Sequence, residues 1–492
     1  MVFDMSRIDV EVSKGSQKNG QLNSQKNGQL NSFKDEIVHL TRLRSRPCEN
    51  LRRELARKKD ASISTLKMII AREANYSRRE FFSSSDRCHI MNKYLPIRDP
   101  MVVDKMPTRA YVSHFTPDGS LFIAGFQGRD IRIYDVDKGW KLQKNIQAQG
   151  LNWTVTDTSI SPDQSHLVYA TMAPIVHIVD AGSSDNESIE DIDEVHEGFD
   201  FSSDVDGDHS FGIFTVNHSN DGREIVGGSS DDAIYVFDLE VRKLSLRIPA
   251  HASDVNTVCF GDETGNIMYS GSDDNLCKVW DRRCLRTQGG KSAGVLTGHL
   301  EGITFIDSHG DGRYFISNGK DQSIKLWDIR KMSSNNMCAN WFRNFDWDYR
   351  WMDYPAEASD LKHPNDQSLS TYKGHSVLRT LVRSYISPAF STGQKYIYTG
   401  SHDKCIYVYD LVSGEQVAKL EHHRSTVRDC SWHPYYPMLV SSSWDGDIVK
   451  WEFKAKGDDD EEEKVQPIPA AKRKPRRRIP SPTAKRKQLR HR

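Results

Sequence analysis

One short pattern recurs along the 492-residue chain and constrains its fold more than any other: an apolar–polar run closing on a large apolar or aromatic residue followed by an acid. The closings are Tyr134-Asp135, Val179-Asp180, Phe237-Asp238, Trp280-Asp281, Trp327-Asp328, Tyr409-Asp410 and Trp451-Glu452. Their acidic positions lie 45, 58, 43, 47, 82 and 42 residues apart. Four of these six gaps sit near a period of about 40–45 residues, and the other two are that period plus an insertion. Within a unit, turn residues separate short β-branched runs, as in YFISNGKDQSIKLWD over 314–328. Such runs read as strands of a small sheet.

Seven units predict an all-β, seven-bladed propeller over 108–455. Ring closure removes the long exposed sheet edges that invite aggregation. A strand from just before the first unit would complete the last blade like a clasp, although no motif marks it. Two excursions interrupt the period. One is acidic, over 183–208, and the other aromatic, over 331–370. Residues 1–32 contain QKNGQLNS written twice and read as a disordered leader. Residues 33–107 are basic, and two short helices are expected there. One lies near 49–59, with Leu51 and Leu55 on one face. The other lies near 63–73, with Ile63, Leu66 and Ile70 spaced three and four apart. Residues 456–492 form a disordered tail, acidic and then basic.

The units resemble the WD-repeat (WD40) family. Gly298-His299 and Gly374-His375 match its Gly-His signature, and His251 and His423 take the same place. The resemblance implies a hydrogen-bonded set in each blade: a loop His, a strand Ser or Thr, a turn Asp and the closing Trp. Blade four offers His251, Ser270, Asp274 and Trp280. Blade five offers His299, Ser317, Asp321 and Trp327, and blade seven His423, Ser441, Asp445 and Trp451. Blade six offers His375, Thr399 and Asp403, with Tyr409 in place of Trp. Blades one to three lack most of the set. Because the sets recur once per blade, they read as structural networks rather than as an active site.

After Trp280-Asp281 comes Arg282-Arg283, and after Trp327-Asp328 comes Ile329-Arg330. These two Trp-Asp-x-Arg runs resemble the motif of WD-repeat substrate receptors for cullin-4 ubiquitin ligases. So do the stretches GITFIDSHGDGRYFISNGKDQSIKLWDIR, WDYRW and VRDCSWHPYYPMLVSSSWDGDIVKW. The likeness covers roughly 75–460 and includes a branch with plant and animal members. It implies that Trp280, Asp281, Arg283, Trp327, Asp328 and Arg330 dock the propeller to the ligase's damaged-DNA-binding adaptor, helped by an N-terminal helix. A guanidinium just past a strand end presents a planar fork of donors to carbonyls or carboxylates.

The remaining signals are weaker. In the aromatic insertion, Trp341, Phe342, Phe345, Trp347, Tyr349, Trp351 and Tyr354 fall within fourteen positions. They read as a flap packed on the propeller or, more sharply, as a substrate-recognition surface. The acidic excursion fails the EF-hand pattern, because His209 and Thr215 stand where Gly and Glu are needed. Gly290-Lys291-Ser292 lacks the earlier Gly of a P-loop, since Leu285 stands there. No other catalytic fingerprint is present, so no enzyme, cofactor, metal or small-molecule substrate is expected. Eight cysteines form no Cys-x-x-Cys pair, and no signal core or apolar span is evident. The thiols therefore read as reduced and intracellular, with no membrane partner.

The formal net charge of -1 hides an asymmetry: +1 in 1–32, +7 in 33–107 and +7 in 456–492 leave -16 for 108–455. The tail carries Lys472, Arg473, Lys474, Arg476, Arg477, Arg478 and then Lys485, Arg486, Lys487. These clusters read as a nuclear import signal bound by an import receptor. The chain thus reads as a non-catalytic substrate receptor for a cullin-4 ligase, with a nuclear location expected first and a cytoplasmic one second. The alternative is a generic WD scaffold of a nuclear chromatin or RNA-processing complex. A third class, direct nucleic-acid binding, would rest on the basic tail alone.

Overall fold

A computed structural model describes residues 36–45, 65–74, 81–151, 153–182, 196–202, 211–285, 290–334 and 347–453. The helix expected near 49–59 and the tail clusters from Lys472 to Lys487 lie outside the described residues. So do Trp341, Phe342 and Phe345.

Seven four-stranded antiparallel sheets form the seven blades of a propeller. Each is a meander whose first strand is innermost, as in Ile303–Ser308, Tyr314–Gly319, Ser323–Asp328 and Ser370–Lys373 of blade five. Alternation drives this arrangement: side chains of period two fill the spaces between adjacent blades. Tyr269 of blade four, for example, stacks on Phe315 of blade five at 4.4 Å. In such a meander, the first-to-second and third-to-fourth strand loops share one face, here called the docking face only for the expectation drawn from the sequence. The other loops share the opposite face.

The last blade is closed by β1 (Arg98–Lys105). It pairs antiparallel with Asp447–Glu452, from Arg98↔Glu452 to Lys105↔Asp447. The segment 33–107 is therefore not helical throughout, because its last eight-residue element is a blade strand. β1 shows no alternation, with most of its side chains exposed, because an outermost strand needs only its ladder hydrogen bonds. The acidic excursion likewise contains a strand, Glu197–Asp200, which completes blade two by sending Phe199 into the core.

Among the described residues, three N-terminal helices precede β1: α1 (residues 36–45), α2 (Thr65–Glu73) and α3 (Ser84–Met91). A capping box starts α3, with Ser83 and Asp86 satisfying each other's backbone N–H groups. α3 lies on the blade-six loop helix Ala389–Thr392, where the Arg87 guanidinium covers the Phe390 ring at 3.3 Å. α2 covers much of the expected 63–73 span, but Leu66 and Ile70 do not face inward. They are 65% and 53% exposed, while Met68 is buried at 1%. The face that packs is that of Met68 and Arg72, four residues apart, with Arg72 over the Phe82 ring.

Candidate functional site

The three complete sets are hydrogen-bonded in the same order. In blade five, the Trp327 indole N–H donates to Ser317 Oγ at 2.7 Å, and Ser317 meets His299 Nε2 at 2.6 Å. His299 Nδ1 meets Asp321 at 3.1 Å, and Asp321 also accepts the Leu300 N–H and the Ser323 hydroxyl. Blade four repeats the order through Trp280, Ser270, His251 and Asp274, each contact at 2.8 Å. Blade seven repeats it through Trp451, Ser441, His423 and Asp445 at 2.9, 2.7 and 3.2 Å. Burial holds His251 below its usual range and hence neutral. Burial would raise the Asp274 carboxyl, but the His251 hydrogen bond, the nearby Lys278 charge and the Ala252 N–H together lower it. All three serines are fully buried, and each oxygen already accepts an indole proton. A substrate has no path to them, so the arrangement ties loop to strand rather than performing nucleophilic chemistry.

Blade six departs from this order. His375 Nε2 meets Asn318 Oδ1 of blade five at 3.0 Å, and His375 Nδ1 meets the Tyr409 hydroxyl at 3.3 Å. Asp403 takes the Tyr407 hydroxyl instead, and Thr399 donates to backbone carbonyls. A phenol sits where an indole would, and its hydroxyl reaches His375 directly.

Sequence reasoning missed the networks that serve the other blades. In blade one, Arg132 and Tyr134 both donate to Asp104 of β1 at 2.5 Å. In blade three, Asp231 accepts Ser229, Tyr235 and Arg247. Across the channel, buried Arg383 of blade six meets Asp157 of blade two at 2.8 Å and Asp429 of blade seven at 3.6 Å. No repeat spacing marks these residues. Only the pairing of opposite charges on innermost strands could have signalled the last one.

The two Trp-Asp-x-Arg runs end third strands and so lie on the docking face. Trp280 is buried, and Asp281 receives the Arg283 backbone N–H at 3.1 Å and its guanidinium at 2.8 and 2.7 Å. This pairing lowers the Asp281 carboxyl and fixes the arginine, whose side chain stays 64% exposed. The intervening Arg282 turns away and grips Glu224 of blade three with both terminal nitrogens. In blade five, Arg330 repeats the pairing with Asp328 at 2.8–3.2 Å. Burial nonetheless pushes the Asp328 carboxyl up to about 6, against the pull of Arg313. Beside it, α1 buries Ile37 among Tyr314, Ile316 and Tyr372, with Leu40 packed against the same cluster.

The described part of the aromatic insertion reaches the opposite face. The Tyr349 carbonyl accepts the Arg379 N–H, and Lys320 lies over the Tyr349 ring at 4.0 Å. Trp347 packs edge-on against Tyr354 at 5.1 Å. Trp351 is left 79% exposed, beside half-exposed Met352.

Comparison with known proteins accords with this architecture. The family described as WD domain, G-beta repeat matches residues 242–281, 290–328, 366–410 and 414–452. The LEC14B protein of Lithospermum erythrorhizon is 60% identical over 458 residues, covering 92% of this chain and 97% of its own. The "DDB1- and CUL4-associated factor 11 homolog" of Caenorhabditis briggsae is 33% identical over 455 residues, covering 85% and 79%. Its counterpart in Caenorhabditis elegans is 33% identical over 420 residues, covering 82% and 72%. With seven blades, paired Trp-Asp-x-Arg runs and likeness along most of its length, the chain belongs to the WD-repeat family that includes the DDB1- and CUL4-associated factor 11 homologs and the LEC14B proteins.

Proposed function

We propose that this protein is a non-catalytic substrate receptor that links target proteins to a cullin-4 ubiquitin ligase through DDB1. The observation that carries the reading is Arg283. It is rigidly paired yet largely exposed at the end of a third strand, one blade from a second arginine of the same motif. Relatives whose names couple them to DDB1 and CUL4 support the assignment. The exposed Leu66, Ile69 and Ile70 of α2 add an apolar stripe suited to a partner's groove.

Trp351 and Met352 suit target recognition on the other face, since aromatic anchors dominate binding hot spots. Holding the ligase on one face and the target on the other makes ubiquitin transfer effectively intramolecular. The basic tail clusters suit nuclear import, testable by the distribution of a chain truncated before Lys472.

The test is capture of purified DDB1 by the wild type and by an Arg283→Ala/Arg330→Ala variant. The reading predicts capture by the wild type and its loss in the folded variant. No capture by the wild type rejects the receptor function. Equal capture by both rejects the arginine assignment.

A further inference from the structure

The two Trp-Asp-x-Arg arginines sit in different surroundings. Arg283 closes on Asp281 and points outward. Arg330 closes on Asp328, and its Nη2 also donates to Glu36 of α1 at 2.9 Å. Glu36 takes two further bonds from Arg313 at 2.6 and 2.7 Å, and Arg313 returns to Asp328. Two carboxylates and two guanidiniums thus alternate in one cluster, with the Asp328 side chain fully buried as its floor.

We infer that Arg283 meets the partner directly, whereas Arg330 is a positioning residue that holds α1 on blade five through Glu36. This rests on the docking reading above. Two points lead to it. Ile37 and Leu40 anchor the same side of the helix, and Arg44 bonds His309 and Gln394 at the far end. Finally, a partner acceptor reaching for Arg330 Nη2 competes with Glu36, while one reaching for Arg283 leaves α1 undisturbed. The surface offered at blade five is then the outer side of α1, where Arg42 and half-exposed Leu43 face solvent. A partner carboxylate beside an apolar recess fits it.

Two readouts on the full chain test this: hydrogen exchange of amides 37–45 without partner, and affinity for purified DDB1. Glu36→Gln and Arg330→Ala each speed exchange about threefold, the size expected for a partly exposed charge contact, and each weakens DDB1 binding. Combining them weakens binding no more than Arg330→Ala alone, because both act through one contact. Arg330→Lys restores part of the exchange protection. Arg283→Ala weakens binding about tenfold, as for an arginine hot spot, with exchange at 37–45 unchanged.

Unchanged exchange in Glu36→Gln overturns the inference. So does a double variant whose loss of binding is the product of the single losses, which marks Arg330 as a direct contact. If the wild type binds no DDB1, the docking reading falls, and the exchange arm still decides whether Glu36 and Arg330 hold α1.

Discussion

Blades four, five and seven differ from blades one and two in where their polar contacts close. In the first group, each blade is tied within itself by an indole, a serine, a histidine and an aspartate. In the second, the ties cross to other parts of the ring. Blade one leans on Asp104 of the clasp strand β1, and blade two on Arg383 across the channel. Asp157 also takes the Thr215 hydroxyl and Val216 N–H from blade three. A repeat protein of this kind therefore spends its recognisable signature on some blades and joins the rest by contacts with no sequence period. The docking face shows the same division. Arg283 acts from within its own blade, while Arg330 is shared with the N-terminal helix.

If the cross-ring ties hold blades one and two, breaking them has the largest effect. Arg383→Met removes the cation paired with both buried Asp157 and Asp429, which costs about 3–5 kcal/mol. Urea unfolding measures this, and a loss below about 1 kcal/mol removes the channel contact from the account. Within a self-contained blade, Asp321→Ala strands the His299 and Leu300 N–H donors. The expected loss is about 3 kcal/mol, since each unsatisfied buried donor costs about 1–3 kcal/mol.

Acid sharpens the comparison differently. Burial pushes His114 and His375 down to about 4, and His375 contacts Asn318 and the Tyr409 hydroxyl in place of the serine and the turn aspartate. A lowered folded value means their contribution is complete above about pH 6.5 and is lost as pH falls toward 4. Stability then declines by about 1.4 kcal/mol per pH unit for each histidine across that window. His375→Gln is expected to flatten the unfolding profile by one such slope, and an unchanged profile contradicts its neutral state. The smallest effect belongs to the clasp: Tyr134→Phe removes one of the two side-chain donors to Asp104 and costs about 1 kcal/mol.

The number of blades was legible because alternation and turn residues repeat at a nearly constant period. The complete His, Ser, Asp and Trp sets were legible for the same reason. Blade six misled because Tyr409 looks like a substitute for Trp, yet its hydroxyl redirects His375 toward Asn318. β1 was hidden because RDPMVVDK lacks a buried side at most positions. α1 was hidden because only Ile37 and Leu40 mark its inner side and its main tie is ionic. The spacing of Ile37, Leu40, Thr41 and Arg44 was the available signal, since all four turn toward the ring or its loops.

The central claim is that the docking face receives DDB1. Hydrogen exchange of the full chain with and without purified DDB1 tests it most directly. The account predicts protection at 37–45 and around Arg283 and Arg330, with the 347–354 segment and the His251 and His299 loops unchanged. Protection confined to the latter segments, or no protection at saturating DDB1, contradicts it.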